Sequence, residues 1–301
     1  MKIIVVGTGF VGLTHAATTA EYGHEVYAYD IDQTRIEAYQ SGDHERINHY
    51  VNEPGLPQII EETMNRYLFF TTDIESIIEG TDAIFLCLPT PPRIDGSSDL
   101  SFYFSALNHI ASLLAKRTDQ RRVVLVNKST VPVGTGRKLE EILKQHNVPN
   151  AGIASNPEFL PEGDAVEKSR KPDRVVIGAD TPEDFSIVRR IYSQFVNHVR
   201  IRYIETTPET AEAIKYVANT LLLTYISFWN GVGARLGETF PNISMEDLKR
   251  GVTADGRIST WGSYVSNGAG GSCFGKDIQS LIYQLKSAGQ QADLLQSVYR
   301  I

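Results

Sequence analysis

Through the first two hundred residues, short apolar runs alternate with stretches whose apolar positions recur every three or four residues. The runs Ile3–Val6, Glu25–Tyr29, Tyr67–Phe70, Ala83–Leu88, Val123–Asn127, Ile153–Ala154 and Val175–Gly178 predict strands. The intervening periodicity predicts helices over Val11–Glu21, Gln33–Gln40, Phe102–Ala115, Thr135–His146 and Pro182–Gln194. Strands that are apolar throughout belong to a sheet covered on both faces. Their alternation with helices predicts an α/β fold built on a doubly wound parallel sheet.

The pattern changes after residue 200. One long helix is expected from Pro208 to about Phe240, opening on Thr207-Pro208-Glu209: a hydroxyl cap, proline in the first turn, then glutamate. Further helices are expected over Asp277–Ser287 and from near Gln291. The chain therefore divides into an α/β domain over 1–200 and a mainly helical domain over 201–301. The last helical pattern is still running at Ile301, so the chain is expected to be a piece of a longer one.

Length and composition permit this division, since 301 residues with 42% hydrophobic content can fill two domains of roughly 100–200 residues. A net charge of −7 argues against a general nucleic-acid binder, but not against a small anionic ligand held by local amides and bases. Two cysteines, Cys87 and Cys273, are too few for a disulfide framework and suit a reducing compartment. Cys87 lies in an apolar strand and reads as structural. The apolar run after Met1-Lys2 is too short for a signal peptide, and no run approaches a membrane span. A soluble, cytoplasmic chain without membrane contact and without a metal site is expected.

Candidate chemistry begins at the first strand. Ile3–Val6 feeds Gly7-Thr8-Gly9-Phe10-Val11-Gly12, which opens a helix, and Asp30 ends the second strand eighteen residues after Gly12. This is a dinucleotide-binding fingerprint in its required context, a Rossmann-type unit. Gly7 permits the turn, Gly9 the approach of a pyrophosphate, and Gly12 close packing of helix on strand. A carboxylate at Asp30 binds ribose hydroxyls and repels a 2′-phosphate, which favours NAD over NADP. Arg35, one helical turn on, is a candidate for the adenosine end.

The second chemical signal is Gly270-Gly271-Ser272-Cys273-Phe274-Gly275-Lys276-Asp277, read as a glycine-rich turn with a cysteine, an ammonium and a carboxylate. Alone it is equally compatible with an idle surface thiol. Other clusters are Ser129-Thr130-Val131-Pro132-Val133-Gly134-Thr135 after a strand, Asn156-Pro157-Glu158-Phe159-Leu160-Pro161-Glu162-Gly163 after another, and Lys215 with Asn219 on one helix face. Singly, Thr130 could cap a helix, Glu158 and Glu162 could be solvated, and Lys215 could be a surface lysine.

In this order, and with Pro89-Thr90-Pro91 and Glu212-Ala213-Ile214-Lys215-Tyr216-Val217-Ala218-Asn219, these motifs resemble the UDP-glucose/GDP-mannose dehydrogenase family from residue 1 to about 287. The resemblance implies NAD-dependent four-electron oxidation of a sugar-nucleotide alcohol to an acid, UDP-glucose to UDP-glucuronate first. The alternatives are GDP-mannose or UDP-N-acetylmannosamine, and an inactive NAD-binding oligomerisation module. A two-electron β-hydroxyacid dehydrogenase, which has no use for Cys273, is a further rival. By resemblance Cys273 is the nucleophile, with Lys215 and Asn219 stabilising the oxyanion and Asp277 polarising a water or the lysine. Thr130 and Glu158 hold the hydrolytic water, with Glu158 its base.

Cofactor contacts are implied at Gly7, Gly9, Phe10, Val11, Gly12, Asp30, Arg35, Pro89, Thr90, Thr130, Glu162 and Lys276. Substrate contacts are implied at Glu158, Phe159, Leu160, Glu162, Lys215, Asn219, Tyr264 and Gly270, with Arg257 reaching the substrate of a neighbouring subunit. A homodimer through the central helix is implied, with Leu221–Tyr225 and Phe228-Trp229 as the buried surface. Gly275 stands where the family usually has proline, and the tyrosine near Arg257 is displaced. A third, nucleotide-binding domain of the family has no counterpart in this chain, so the chain alone is expected to lack contacts for the base.

Overall fold

The computed structural model describes residues 1–266, 268–269 and 272–301. Eight strands lie in one sheet: β1 (Lys2–Val6), β2 (Glu25–Tyr29), β3 (Leu68–Thr71), β4 (Ala83–Leu86), β5 (Val123–Asn127), β6 (Ala151–Ser155), β7 (Arg174–Ala179) and β8 (Arg202–Thr206). Their order is β3-β2-β1-β4-β5-β6-β7-β8. Every pairing is parallel except β6 with β7, where only Ala154↔Ala179 and Ser155↔Gly178 meet, running antiparallel. The expected all-parallel sheet is thus mixed at one junction.

The helices between these strands are α1 (Phe10–Glu21), α2 (Gln33–Gln40), α3 (His44–Tyr50), α4 (Leu56–Thr63), α5 (Ser101–Leu114), α6 (Thr135–Gln145), α7 (Ala165–Arg170), α8 (Pro182–Ile191) and α9 (Ser193–Val196). They cover both faces of the sheet. On β1, Ile3 and Val5 enter one core with Leu13 and Ala16 of α1, while Ile4 and Val6 enter another with Leu107 of α5 and Leu139 of α6. This two-faced burial is why the strands read as unbroken apolar runs. Strand order reverses between β1 and β4, which opens a crevice beyond the carboxyl ends of the strands.

The remaining helices are α10 (Pro208–Phe228), α11 (Ala234–Thr239), α12 (Met245–Val252), α13 (Ser272–Ser287) and α14 (Asp293–Arg300). The single helix expected over Pro208–Phe240 is interrupted by a π-helical turn, Trp229–Gly233, between α10 and α11. A Cβ at Gly231 in that turn would meet Ile301 Cδ1 at 2.9 Å, the far end of a flexible side chain. Helix α13 starts five residues before the expected Asp277. Phe274 and Ile282 pack around the buried Ile278, together with Leu223 and Val298, so the apolar stripe that defines this helix already runs at Phe274. Cys273 therefore sits in the first turn of a helix rather than in a loop.

The chain separates into two compact units, Met1–Thr90 with Leu100–Glu212, and Pro91–Asp99 with Ala213–Ile301. Among the described residues no helix is long and apolar enough to cross a membrane.

Candidate active-site residues

In the N-terminal unit, β1 turns into α1 through Gly7, whose φ of +91° suits glycine. Cβ atoms at Gly7 and Gly12 would meet Cys87 O at 2.5 Å and Gly7 O at 1.8 Å, so both positions are closed to side chains. Gly9 has nothing within 4 Å of its would-be Cβ. The turn is tight on the protein side and open at Gly9, as a pyrophosphate resting on the start of α1 requires. Phe10 and Val11 form the first turn of that helix, half-buried.

Asp30 closes the turn from the end of β2. Its Oδ2 accepts from Thr8 N at 2.8 Å, Thr8 Oγ1 at 2.9 Å and Arg35 Nη1 at 3.1 Å, and its Oδ1 accepts from Asp32 N at 3.1 Å. Burial opposes ionisation here, but the Thr8 and Asp32 hydrogen bonds and the Arg35 charge outweigh it and hold the carboxyl below its usual range. Oδ1, with one bond, retains acceptor capacity for a ribose hydroxyl. Arg35 thus braces Asp30.

Beyond β4, Pro89 is exposed and Thr90 buried. Thr90 Oγ1 donates to Thr130 O at 2.8 Å, and Leu88 N to Ser129 Oγ at 2.8 Å. These bonds tie the loop after β4 to the loop that carries Thr130 after β5. Cys87, expected within the strand, lies just past the end of β4. Its thiol is pushed up to about 12, mainly by burial, which keeps it protonated and suits a packing role.

The loop after β6 holds Glu158, whose Oε2 accepts from Leu160 N at 2.6 Å. The Arg174 guanidinium lies 3.7 Å from the centroid of the Phe159 ring. Glu162 is exposed, while the next residue is anchored: Gly163 N and Ala165 N donate to the two oxygens of buried Glu53, at 2.6 and 3.0 Å. Glu53 was not anticipated, because a carboxylate capping a helix from a hundred residues away leaves no local sequence signal.

In the C-terminal unit, Lys215, Asn219 and Asp277 are all buried. Asn219 Nδ2 donates to Asp277 Oδ2 at 2.6 Å, and Lys276 Nζ lies 3.0 Å from Asp277 Oδ1. Lys276, expected at cofactor phosphate, is paired with that carboxylate. Cys273 is exposed, one helical turn before Asp277. The unit therefore joins the helix bearing Lys215 and Asn219 to the helix bearing Cys273 through a buried carboxylate. Arg257 is exposed and paired with Asp255, Nε to Oδ1 at 3.0 Å. Tyr264 is 47% exposed. Gly270 lies outside the described residues.

Glu212, one turn before Lys215, is a second unanticipated carboxylate. It accepts from Gly134 N at 2.7 Å, Gly136 N at 2.8 Å and Ser155 Oγ at 3.3 Å. Burial raises its pKa to about 7 despite those bonds. Of the apolar residues expected at an interface, Leu223 and Trp229 are buried, and Leu221 and Phe228 are exposed.

Residues 1–196 match the NAD binding domain of the UDP-glucose/GDP-mannose dehydrogenase family, and residues 209–301 its central domain. NAD is the cofactor of this chain, and the Gly7–Gly12 turn with Asp30 fits it. A UDP-glucose 6-dehydrogenase of Pseudomonas aeruginosa is 35% identical over 305 residues, 99% of this chain and 64% of its own length. The chain thus spans less than two thirds of that relative. Among solved structures, a UDP-glucose dehydrogenase from Pyrobaculum islandicum is 33% identical with a TM-score of 0.88, over 99% of this chain and 67% of that one. A GDP-mannose dehydrogenase from Pseudomonas aeruginosa is 25% identical with a TM-score of 0.78, over 100% of this chain and 68% of that one.

Proposed function

We propose that this chain, which belongs to the UDP-glucose/GDP-mannose dehydrogenase family, oxidises the C6 alcohol of UDP-glucose to the acid of UDP-glucuronate, with Cys273 carrying the intermediate. The observation that supports this most is the cluster around Asp277: an exposed thiol one turn away, a carboxamide 2.6 Å from one oxygen and an ammonium 3.0 Å from the other. A two-electron alcohol oxidation has no need of a thiol at that place. A four-electron oxidation that keeps its aldehyde bound does.

Bound NAD supplies the oxidant for both stages. After the first, the Cys273 thiolate adds to the aldehyde carbon and forms a thiohemiacetal. Lys215 and Asn219 donate to the oxygen on which charge develops. Asp277 holds Asn219 in the orientation that donates. After the second oxidation the carbon is a thioester. Glu158 takes a proton from a water that Thr130 positions, and the water oxygen bonds to the carbonyl carbon. The C–S bond then breaks, its electron pair returns to Sγ, and the acid is released.

Glu162, Phe159, Leu160, Tyr264 and Gly270 are assigned to the sugar nucleotide, and Lys276, Pro89 and Thr90 to the cofactor. Arg257 is assigned to the substrate of a second subunit of a homodimer. Val217, Leu221 and Phe228, all more than half exposed along α10, would supply that interface.

The substrate is tested by initial rates with UDP-glucose, GDP-mannose and UDP-N-acetylmannosamine at equal concentration, using the protein at its full natural length. UDP-glucose should have the highest kcat/KM by at least about tenfold, or about 1.4 kcal/mol in transition-state binding. A higher value for another sugar would overturn the assignment.

A further inference from the structure

Beneath the ligand edge of the N-terminal unit lies a buried cation that the roles above leave unused. Lys128 is 7% exposed, and lysine is almost never buried to this degree without a specific partner. Its Nζ donates to Asn156 Oδ1 at 3.0 Å. The two residues hold equivalent places. Lys128 follows β5 and Asn156 follows β6, whose last residues Asn127 and Ser155 are paired in register.

The carboxamide is held at both its oxygen and its nitrogen. Its Oδ1 also accepts from the Tyr192 hydroxyl, and its Nδ2 donates to Val176 O at 2.9 Å. The titratable groups nearby are His15, Cys87, Tyr192 and Glu158. Burial, then the Lys128 charge, holds His15 neutral. Burial keeps both the Cys87 thiol and the Tyr192 phenol protonated. The charges felt by Cys87 are those of Lys128 and Glu158.

Two residues beyond Lys128 is Thr130, and two beyond Asn156 is Glu158. We infer that Lys128 is a positioning residue for hydrolysis of the thioester: its bond to Asn156 staples the loop carrying Thr130 to the loop carrying Glu158, and so sets where the attacking water is held. The inference rests on the roles proposed above. Lys128 touches none of the reacting atoms. In the step it serves, the water oxygen bonds to the carbonyl carbon, a proton passes to Glu158, and the C–S bond breaks with its electrons returning to Cys273. A displacement of about 1 Å in either loop should slow that step by about 10²-fold.

The test compares the wild-type protein at full natural length with Lys128→Met, Asn156→Ala and the double variant, in the presence of NAD and UDP-glucose. Expected is a fall in kcat of about 10²-fold in each, with NAD affinity unchanged, a covalent sugar adduct on Cys273 persisting by intact mass, and a double variant no slower than the singles. Wild-type turnover, a slow enzyme without adduct, a parallel loss of NAD affinity, or losses that multiply in the double variant would overturn it. If Lys128→Met does not fold, Asn156→Ala decides by the same readouts. A wild type that makes neither NADH nor adduct would defeat the proposed function instead. Amide exchange then decides: Lys128→Met must speed exchange in both 129–134 and 156–163, and loosening of one alone would overturn the staple.

Discussion

Gly9 and Gly12 differ in what a methyl group would meet, and that difference separates folding from binding. At Gly12 a Cβ would lie 1.8 Å from Gly7 O, so Gly12→Ala should destabilise the N-terminal unit by about 3 kcal/mol or more. At Gly9 it would meet no protein atom within 4 Å. Gly9→Ala should therefore change unfolding free energy by less than about 1 kcal/mol while weakening NAD by at least about tenfold. Calorimetric titration beside urea unfolding checks both, and equal NAD affinity in Gly9→Ala would refute the pyrophosphate position. Asp30 adds a pH dependence. Its folded pKa is depressed, so its stabilisation is present above the usual carboxylate range and lost as pH falls through the lowered value. Glu212 has the opposite sign. With a folded pKa of about 7 against roughly 4.3 unfolded, its contribution is full below the unfolded value and lost as pH rises through 7. Wild type should thus lose up to about 3 kcal/mol relative to Glu212→Gln between pH 4 and pH 8, as read from urea unfolding. A pH-independent difference would contradict this.

Individual elements were legible where one local signal fixed them. Gln33–Gln40 and the strand at Glu25–Tyr29 agree residue for residue with expectation, because the Asp32 cap opens the first and the turn at Gly23 precedes the second. Helices α3, α4, α7 and α12 were not anticipated. They are short, and α3 and α12 open on the side-chain caps Asp43 and Ser244. Edge strand β8 was missed because Arg202–Thr206 is polar and largely exposed. The start of α13 was hidden by the glycines before it, although its stripe is visible once Phe274 is counted with Ile278. Ile278 is fully buried at the centre of the C-terminal core. Ile278→Ala should cost about 2–5 kcal/mol and lower the melting temperature, as read by calorimetry.

For the whole molecule, the sequence carried the identities of the candidate residues but not their partners. The chain order shows Lys215, Asn219 and Asp277 as motif members. Only folding shows that Asp277 binds Asn219, that Glu53 anchors Gly163, and that Lys128 reaches Asn156. Long-range polar contacts of this kind leave no periodic trace. The exposed residues Val217, Leu221 and Phe228 lie at spacings of four and seven, one face of a helix. A Leu221→Arg, Phe228→Glu double variant should halve the mass seen by light scattering if this face joins two copies. An unchanged mass would remove the dimer from the account. The central claim, that Cys273 carries the substrate through a four-electron oxidation, is tested most directly by counting NADH formed per UDP-glucose consumed, in wild type and Cys273→Ala at full natural length. The account predicts two NADH per sugar in wild type and no completed oxidation in the variant. One NADH per sugar, or two in the absence of the thiol, would contradict it.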